Sequence, residues 1–202
     1  MTGTLVYVMG PSGSGKDSLI AHVRQSINAT YAATWNISAD ARETLRPVFF
    51  ARRYVTRPEN AGGERHYTLT REAFQLRKNR GEFALSWESH GLCYGISTDI
   101  DSRLAAGAVV VVNGSREYLP EALQRYPALL PMLISAQPEI LRERLEKRGR
   151  EKQADINERL AGAGVELPEV PALIRVDNSG SFEVAGRVVS DLFHHLRRID
   201  SH

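Results

Sequence analysis

The segment that most constrains this chain is Gly10-Pro-Ser-Gly-Ser-Gly15-Lys16. It lies between a short apolar run, Leu5–Met9, and a stretch from Lys16 to Ile27. Leu19, Ile20, Val23 and Ile27 fall on one helical face of that stretch. A strand that enters a Gly-rich turn and leaves as a helix is the context a phosphate-binding loop requires, and the spacing is that of G-x-x-x-x-G-K-[ST]. Glycines let backbone N–H groups curl around phosphate oxygens, and the helix N-terminus adds partial positive charge. Lys16 can reach the outer phosphates and follow charge into a transition state. The competing reading is a Gly-rich strand-to-helix turn with no ligand.

The rest of the chain repeats the strand–helix alternation. Strands are expected at Val48–Val55, Tyr67–Leu69, Phe83–Glu88, Cys93–Ser97, Ala108–Val112, Ala128–Ile134 and Ala172–Val176. Helices are expected at Arg71–Asn79, Asp99–Ala106, Glu117–Arg125, Pro138–Arg148 and Phe182–Leu196, with a helical turn over Asp40–Leu45. The β-branched run ending at Val112 marks a strand buried on both faces. The fold class is therefore α/β, a central parallel sheet flanked by helices. Residues 48–97 break the rhythm and read as an inserted small lobe in a single domain, with the core at about 1–47, 98–140 and 161–202. Residues 28–46 carry no assignable role.

Composition removes several function classes. The chain has 202 residues, 42% hydrophobic and 25% charged, ordinary for a globular domain. No apolar run reaches membrane length, and the N-terminal strand lacks the basic lead of a signal peptide. Cys93 is the single cysteine, which excludes a disulfide framework and fits a reducing, cytoplasmic setting. A net charge of +2 is too small to argue for nucleic acid. Of 26 basic residues, 22 are Arg, a skew that follows either from codon usage or from phosphate recognition by a planar fork.

Two positions depart from the loop's usual chemistry. The Ser or Thr that normally ligates Mg²⁺ is Asp17, and the acid that usually ends the neighbouring buried strand is Asn113. Either the metal's carboxylate has moved to Asp17, a hard oxygen ligand, or Asp17 only favours the helix start. Both readings stay open.

Four blocks make the sequence resemble the guanylate kinase family over nearly its whole length. They are the loop itself; Val55-Thr-Arg-Pro58 with Gly63-Glu64 and Tyr67; Gly81-Glu-Phe83 with Gly91-x-x-Tyr94-Gly95; and Leu141-x-x-Arg144-Leu-x-x-Arg148-Gly with Ile156-x-x-Arg159-Leu. The resemblance implies a kinase that phosphorylates a phosphate group using ATP and Mg²⁺. It implies that the loop residues Gly10, Pro11, Ser12, Gly13, Ser14, Gly15, Lys16 and Asp17 hold ATP. It implies that Arg57, Tyr67 and Tyr94 grip the acceptor phosphate in the 48–97 lobe. It also implies that Arg144, Arg148 and Arg159 belong to a lid at about 141–160, with Arg144 on ATP and with Arg148 and Arg159 catalytic beside Lys16.

The departures from that family point one way. Its guanine-reading Glu falls on Leu85, and its second guanine reader, a hydroxyl residue, falls on Ile96. Unpaired base donors would cost ~1–3 kcal/mol each. The second phosphate-gripping Arg becomes Asn60, while Arg52-Arg53 precede the loop and Arg65-His66 flank Tyr67. Arg52 and Arg53 are adjacent, so at most one of them faces the site; Arg53 is named as the substrate-binding candidate, and the choice between the two stays open. With Val112-Asn-Gly-Ser-Arg116 and Asp177-Asn178-Ser-Gly, the pattern resembles the ribose 1,5-bisphosphate phosphokinases, a branch that acts in phosphonate breakdown. That resemblance implies transfer from ATP to the 1-phosphate of ribose 1,5-bisphosphate, giving 5-phosphoribosyl 1-diphosphate, and adds Asn178 to the ATP site. It implies small-molecule partners, no nucleic acid and no membrane, and leaves a homodimer open. The alternatives are a nucleoside monophosphate kinase, which Leu85 and Ile96 oppose, and a non-catalytic interaction module, which the intact Gly15-Lys16 opposes.

Overall fold

A computed structural model of the chain describes residues 3–35, 45–58, 65–149, 156–157, 160 and 170–198. Five parallel strands form the main sheet in the order β2-β7-β1-β8-β9: β1 (Thr4–Met9), β2 (Val48–Phe50), β7 (Val109–Asn113), β8 (Leu130–Ser135) and β9 (Ile174–Asp177). Burial on both faces explains the nearly unbroken apolar sequences of β1 and β7. Alternate residues feed two cores. Val6, Val8, Val109 and Val111 pack under α1 (Lys16–Trp35) and α6 (Phe182–Leu196) through Leu19, Val23, Ile27, Val189 and Phe193. Leu5, Tyr7, Met9, Val110 and Val112 face the other way, toward α3 (Asp99–Ala105) and α4 (Leu119–Arg125).

A second sheet, order β4-β3-β6-β5, builds the inserted lobe: β3 (Tyr54–Val55), β4 (Tyr67–Thr68), β5 (Phe83–Ser89) and β6 (Leu92–Ser97), with α2 (Arg71–Asn79) against it. Phe74 of α2 stacks on Phe83 with ring centres 4.7 Å apart. The β5–β6 hairpin turns on His90 and Gly91, both at positive φ, which suits the right-handed strand twist. α5 (Pro138–Arg148) follows β8.

Three expectations change. The single strand over Val48–Val55 is two strands: β2 pairs with β7 in the main sheet, the chain breaks at Ala51-Arg52-Arg53, and β3 joins the lobe. The break lets one segment serve two sheets. The first helix runs on to Trp35, eight residues past Ile27, where the expected helix ends. The strand expected over Ala128–Ile134 begins only at Leu130 and runs to Ser135. The helical turn expected at Asp40–Leu45 lies, Leu45 apart, outside the described residues. No helix among the described residues is long and apolar enough to cross a membrane.

Candidate active site

Successive strands enter the sheet on opposite sides of β1, so a crevice opens at the carboxyl ends beside it. Gly10 to Asp17 occupy that crevice. Pro11, Ser12, Gly13 and Ser14 form the turn that leaves β1, closed by the Ser14 N–H donating to the Pro11 carbonyl (3.3 Å). Pro11 is buried, whereas Ser12, at the first corner of that turn, is only half-buried. The structure thus keeps Ser12 in the loop expected to hold ATP.

Gly13 and Gly15 have φ of +85° and +86°, where a side chain is strained, and their neighbours also need the space. A Cβ on Gly13 would press on the Leu141 carbonyl and on Leu145, and one on Gly15 would strike the Asn178 amide. The loop is thus packed from behind by α5 and by the turn after β9. Asn178 Nδ2 donates to the Ser14 carbonyl (2.8 Å), and Arg144 donates to the Asn178 carbonyl (2.8 Å) and the Gly13 carbonyl (3.5 Å). Ser14 Oγ and Asn178 Oδ1 are buried with no hydrogen-bond partner among the described residues. Lys16 Nζ donates to the carbonyls of Gly10 (2.8 Å) and Pro11 (3.0 Å), folded back over its own loop.

Asp17 is the second residue of α1, one step inside the helix start. Its Oδ1 accepts a 2.7 Å hydrogen bond from Asn113 Nδ2 at the end of β7. The two positions where the sequence departs from the usual loop are therefore one linked pair. One partly exposed carboxylate, oriented by a side-chain amide, suits Mg²⁺, which keeps several waters and takes one or two carboxylates plus phosphate oxygens.

The segment after β7 is held by Tyr7, whose hydroxyl donates to the Ser115 carbonyl (2.9 Å) and accepts from the Ser115 N–H (3.0 Å). Burial pushes this phenol well above its ordinary pKa, so it stays a donor. Gly114 is required there because the Tyr7 ring fills the place of a Cβ.

Across the crevice, the half-buried Arg53 lies over the Tyr94 ring at 5.2 Å; Tyr94 stacks on Trp87 (5.4 Å), and Trp87 on Tyr118 (5.5 Å). Arg52 turns the other way, exposed over Tyr67 at 4.6 Å. Arg53 and Tyr94 are thus brought together. Tyr67 is 45% exposed and packs with Arg52 and with Tyr54, 4.8 Å away. Arg57 meets His66: Arg57 Nη2 lies 3.5 Å from His66 Nδ1, and His66 Nε2 lies 3.2 Å from the Arg57 carbonyl. Sequence reasoning named His66 only as a flanking residue. Period-2 alternation ahead of β4 was the available signal, since it sends His66 inward when Tyr67 points out. Of the three arginines expected in a lid, Arg144 lies against the loop; Arg148 ends α5 with its side chain outside the description, and Arg159 is outside the described residues.

Leu85 and Ile96 pair across β5 and β6 and are 1% and 0% exposed in the core shared with Tyr7 and Met9. The two positions expected from the resemblance to face a base are closed hydrocarbon.

No family model matches the chain. Among solved structures, a guanylate kinase from Anaplasma phagocytophilum aligns over 98% of this chain and 88% of its own, with a TM-score of 0.62 at 15% identity, a likeness of fold. Among curated proteins, the ribose 1,5-bisphosphate phosphokinase PhnN of Desulfomicrobium baculatum is 51% identical over 188 residues, spanning 93% of this chain and 92% of that protein. The protein of the same name from Burkholderia pseudomallei is 46% identical over 195 residues, 96% of this chain and 97% of its own. At that identity over that length, the chain belongs to the ribose 1,5-bisphosphate phosphokinase PhnN family.

Proposed function

We propose that this kinase transfers the γ-phosphoryl group of ATP to the 1-phosphate of ribose 1,5-bisphosphate, giving 5-phosphoribosyl 1-diphosphate and ADP. One observation carries the choice of acceptor: Leu85 and Ile96, the positions that the resemblance assigns to base reading, are aliphatic and sealed in the core. The aligned relatives' name supplies the same acceptor. When bound, ATP provides the phosphoryl group and Mg²⁺ neutralises charge on its oxygens.

The chain's own residues position the two partners. Loop N–H groups between Gly10 and Lys16, that of Ser12 among them, cradle the donor phosphates. Lys16 leaves the Gly10 and Pro11 carbonyls for the transferring group, and Asp17, oriented by Asn113, offers the metal its carboxylate. Arg144 and Asn178 brace the loop. Arg53, Arg57, Tyr67 and Tyr94 form the acceptor side, and Arg148 and Arg159 close on the transferring group. The acceptor is already an anionic oxygen, so the reaction needs positioning and charge more than a strong base.

Purified protein with ATP and Mg²⁺, offered ribose 1,5-bisphosphate or GMP in separate reactions, tests this reading. Mass analysis should find 5-phosphoribosyl 1-diphosphate, one phosphoryl group heavier than the substrate, in the first and GMP unchanged in the second. GDP as the main product would overturn it. Arg57→Ala should raise the KM for the acceptor about tenfold or more, as expected for a lost charge-assisted contact, with the KM for ATP within about twofold. Equal damage to both would place Arg57 in the wrong pocket.

A further inference from the structure

The contact between Arg57 and His66 constrains more than packing. A guanidinium has only donors, so the ring nitrogen 3.5 Å from Arg57 Nη2, His66 Nδ1, must present its lone pair. The ring proton of a neutral imidazole then sits on Nε2, where the Arg57 carbonyl stands 3.2 Å away to accept it. One ring thus holds Arg57 at both ends, main chain and side chain, and Arg57 itself decides the tautomer. His66 is 4% exposed at the entry to β4, so little freedom remains to it. Arg57 Nε is buried and has no hydrogen-bond partner among the described residues.

We propose that His66 is a positioning residue for Arg57, presetting the guanidinium to receive a phosphate of the acceptor. The proposal rests on the acceptor reading of Arg57 given above. Fixing an arginine side chain removes rotamer freedom, and a clamp formed before binding takes part of that cost out of the binding step. The 3.5 Å contact is long, as such contacts commonly are before a ligand arrives, and a bound anion would tighten it.

The test is a small variant series titrated with ribose 1,5-bisphosphate and, separately, with ATP. His66→Phe keeps the ring's bulk and removes both polar contacts. It should raise the acceptor KM about tenfold, the ratio expected for one hydrogen bond to a charged group, and leave the ATP KM within about twofold. His66→Asn is smaller but restores an acceptor near the Nδ1 position, and should return the acceptor KM to within about threefold of the native value. A packing role predicts the reverse order, because Asn leaves a cavity and Phe does not. Should His66→Phe fail to fold, His66→Gln, which keeps the donor to the carbonyl and not the acceptor toward Nη2, replaces it with the same expected rise.

On an Arg57→Ala background, His66→Phe should do no further harm to the acceptor KM. Full harm persisting there, or Asn worse than Phe, overturns the positioning role. If Arg57→Ala raises the acceptor KM while His66→Phe does not, the positioning role falls and the acceptor site stands. If Arg57→Ala itself leaves the acceptor KM unchanged, both fall together.

Discussion

Lys16→Ala should lower kcat by about a hundredfold or more and leave the fold intact. In the structure Lys16 Nζ donates to two carbonyls of its own loop, those of Gly10 and Pro11. Lys16 is only half-buried, so water can reach the space a lost ammonium leaves, and the melting temperature should hardly move. The charge matters when phosphate is present. There a preorganised cation meets negative charge that grows toward the transition state, and removal of one such contact costs about 3–4 kcal/mol. The measurement is kcat at saturating ATP and acceptor, with thermal melting as the control for folding. A folded variant that keeps more than about a tenth of native kcat, a loss under ~1.4 kcal/mol, would falsify the assignment of Lys16 to the transferring group.

The loop is legible in the sequence because its residues answer to local demands. Gly13 and Gly15 need positive φ and lie against neighbours that would strike a Cβ, so their identity follows from backbone alone. Ser12 is a weaker case: it stands at a half-buried corner of the turn, and only the spacing of the motif marks it as part of the loop. The parallel sheet is legible through burial on both faces, which forces β7 to be Val109-Val-Val-Val112. The break at Ala51-Arg52-Arg53 was not visible. A strand that passes from one sheet to another keeps its β-propensity on both sides of the crossing, and only tertiary pairing shows the change of partner. The extension of α1 to Trp35 is not legible because Asn28 and Thr30, which follow Ile27, are weak helix formers and read as an end.

Within the site, the chemistry of a residue is legible in the sequence, and the neighbour it meets mostly is not. Leu85 and Ile96 were read as losses of polar function, and the structure supplies the physical form of that loss, two aliphatic side chains closed into the core. The Arg57–His66 clamp spans nine residues, and its geometry depends on the parallel pairing of β3 with β4, which no short-range pattern specifies. The orientation of Arg52 and Arg53 also needed the fold. Adjacent residues diverge in either case, and only the positions of Tyr67 and Tyr94 tell which one turns inward. Asp17 and Asn113, 96 positions apart, are the counter-example: two departures from one motif were enough to suspect a relation before any distance was known.

That relation has a sharp consequence for the metal. If Asp17 has taken over the carboxylate role that Asn113 does not fill, Asp17→Ala should raise the Mg²⁺ concentration for half-maximal rate by about tenfold. The 2.7 Å hydrogen bond from Asn113 Nδ2 makes the pair directional: the amide donates, the carboxylate accepts. Asn113→Asp alone would set two carboxylates against each other at that distance and should itself impair the enzyme. Asp17→Ser restores the usual loop residue but leaves no carboxylate on either position, so it should recover only part of the rate. Adding Asn113→Asp to Asp17→Ser removes the repulsion and returns one acid, so the double variant should be better than either single change, with a coupling of about 1 kcal/mol or more. A role confined to the helix start gives a different pattern. Asp17 sits in the first turn of α1, where an acid contributes about 0.3–1 kcal/mol through the helix dipole. Its loss would then appear as a lower melting temperature at every Mg²⁺ concentration, and Asn113→Asp would not rescue it. Rate and melting temperature against Mg²⁺ for the four proteins of the cycle separate the two roles, and additive effects on the Mg²⁺ requirement would remove the metal from Asp17.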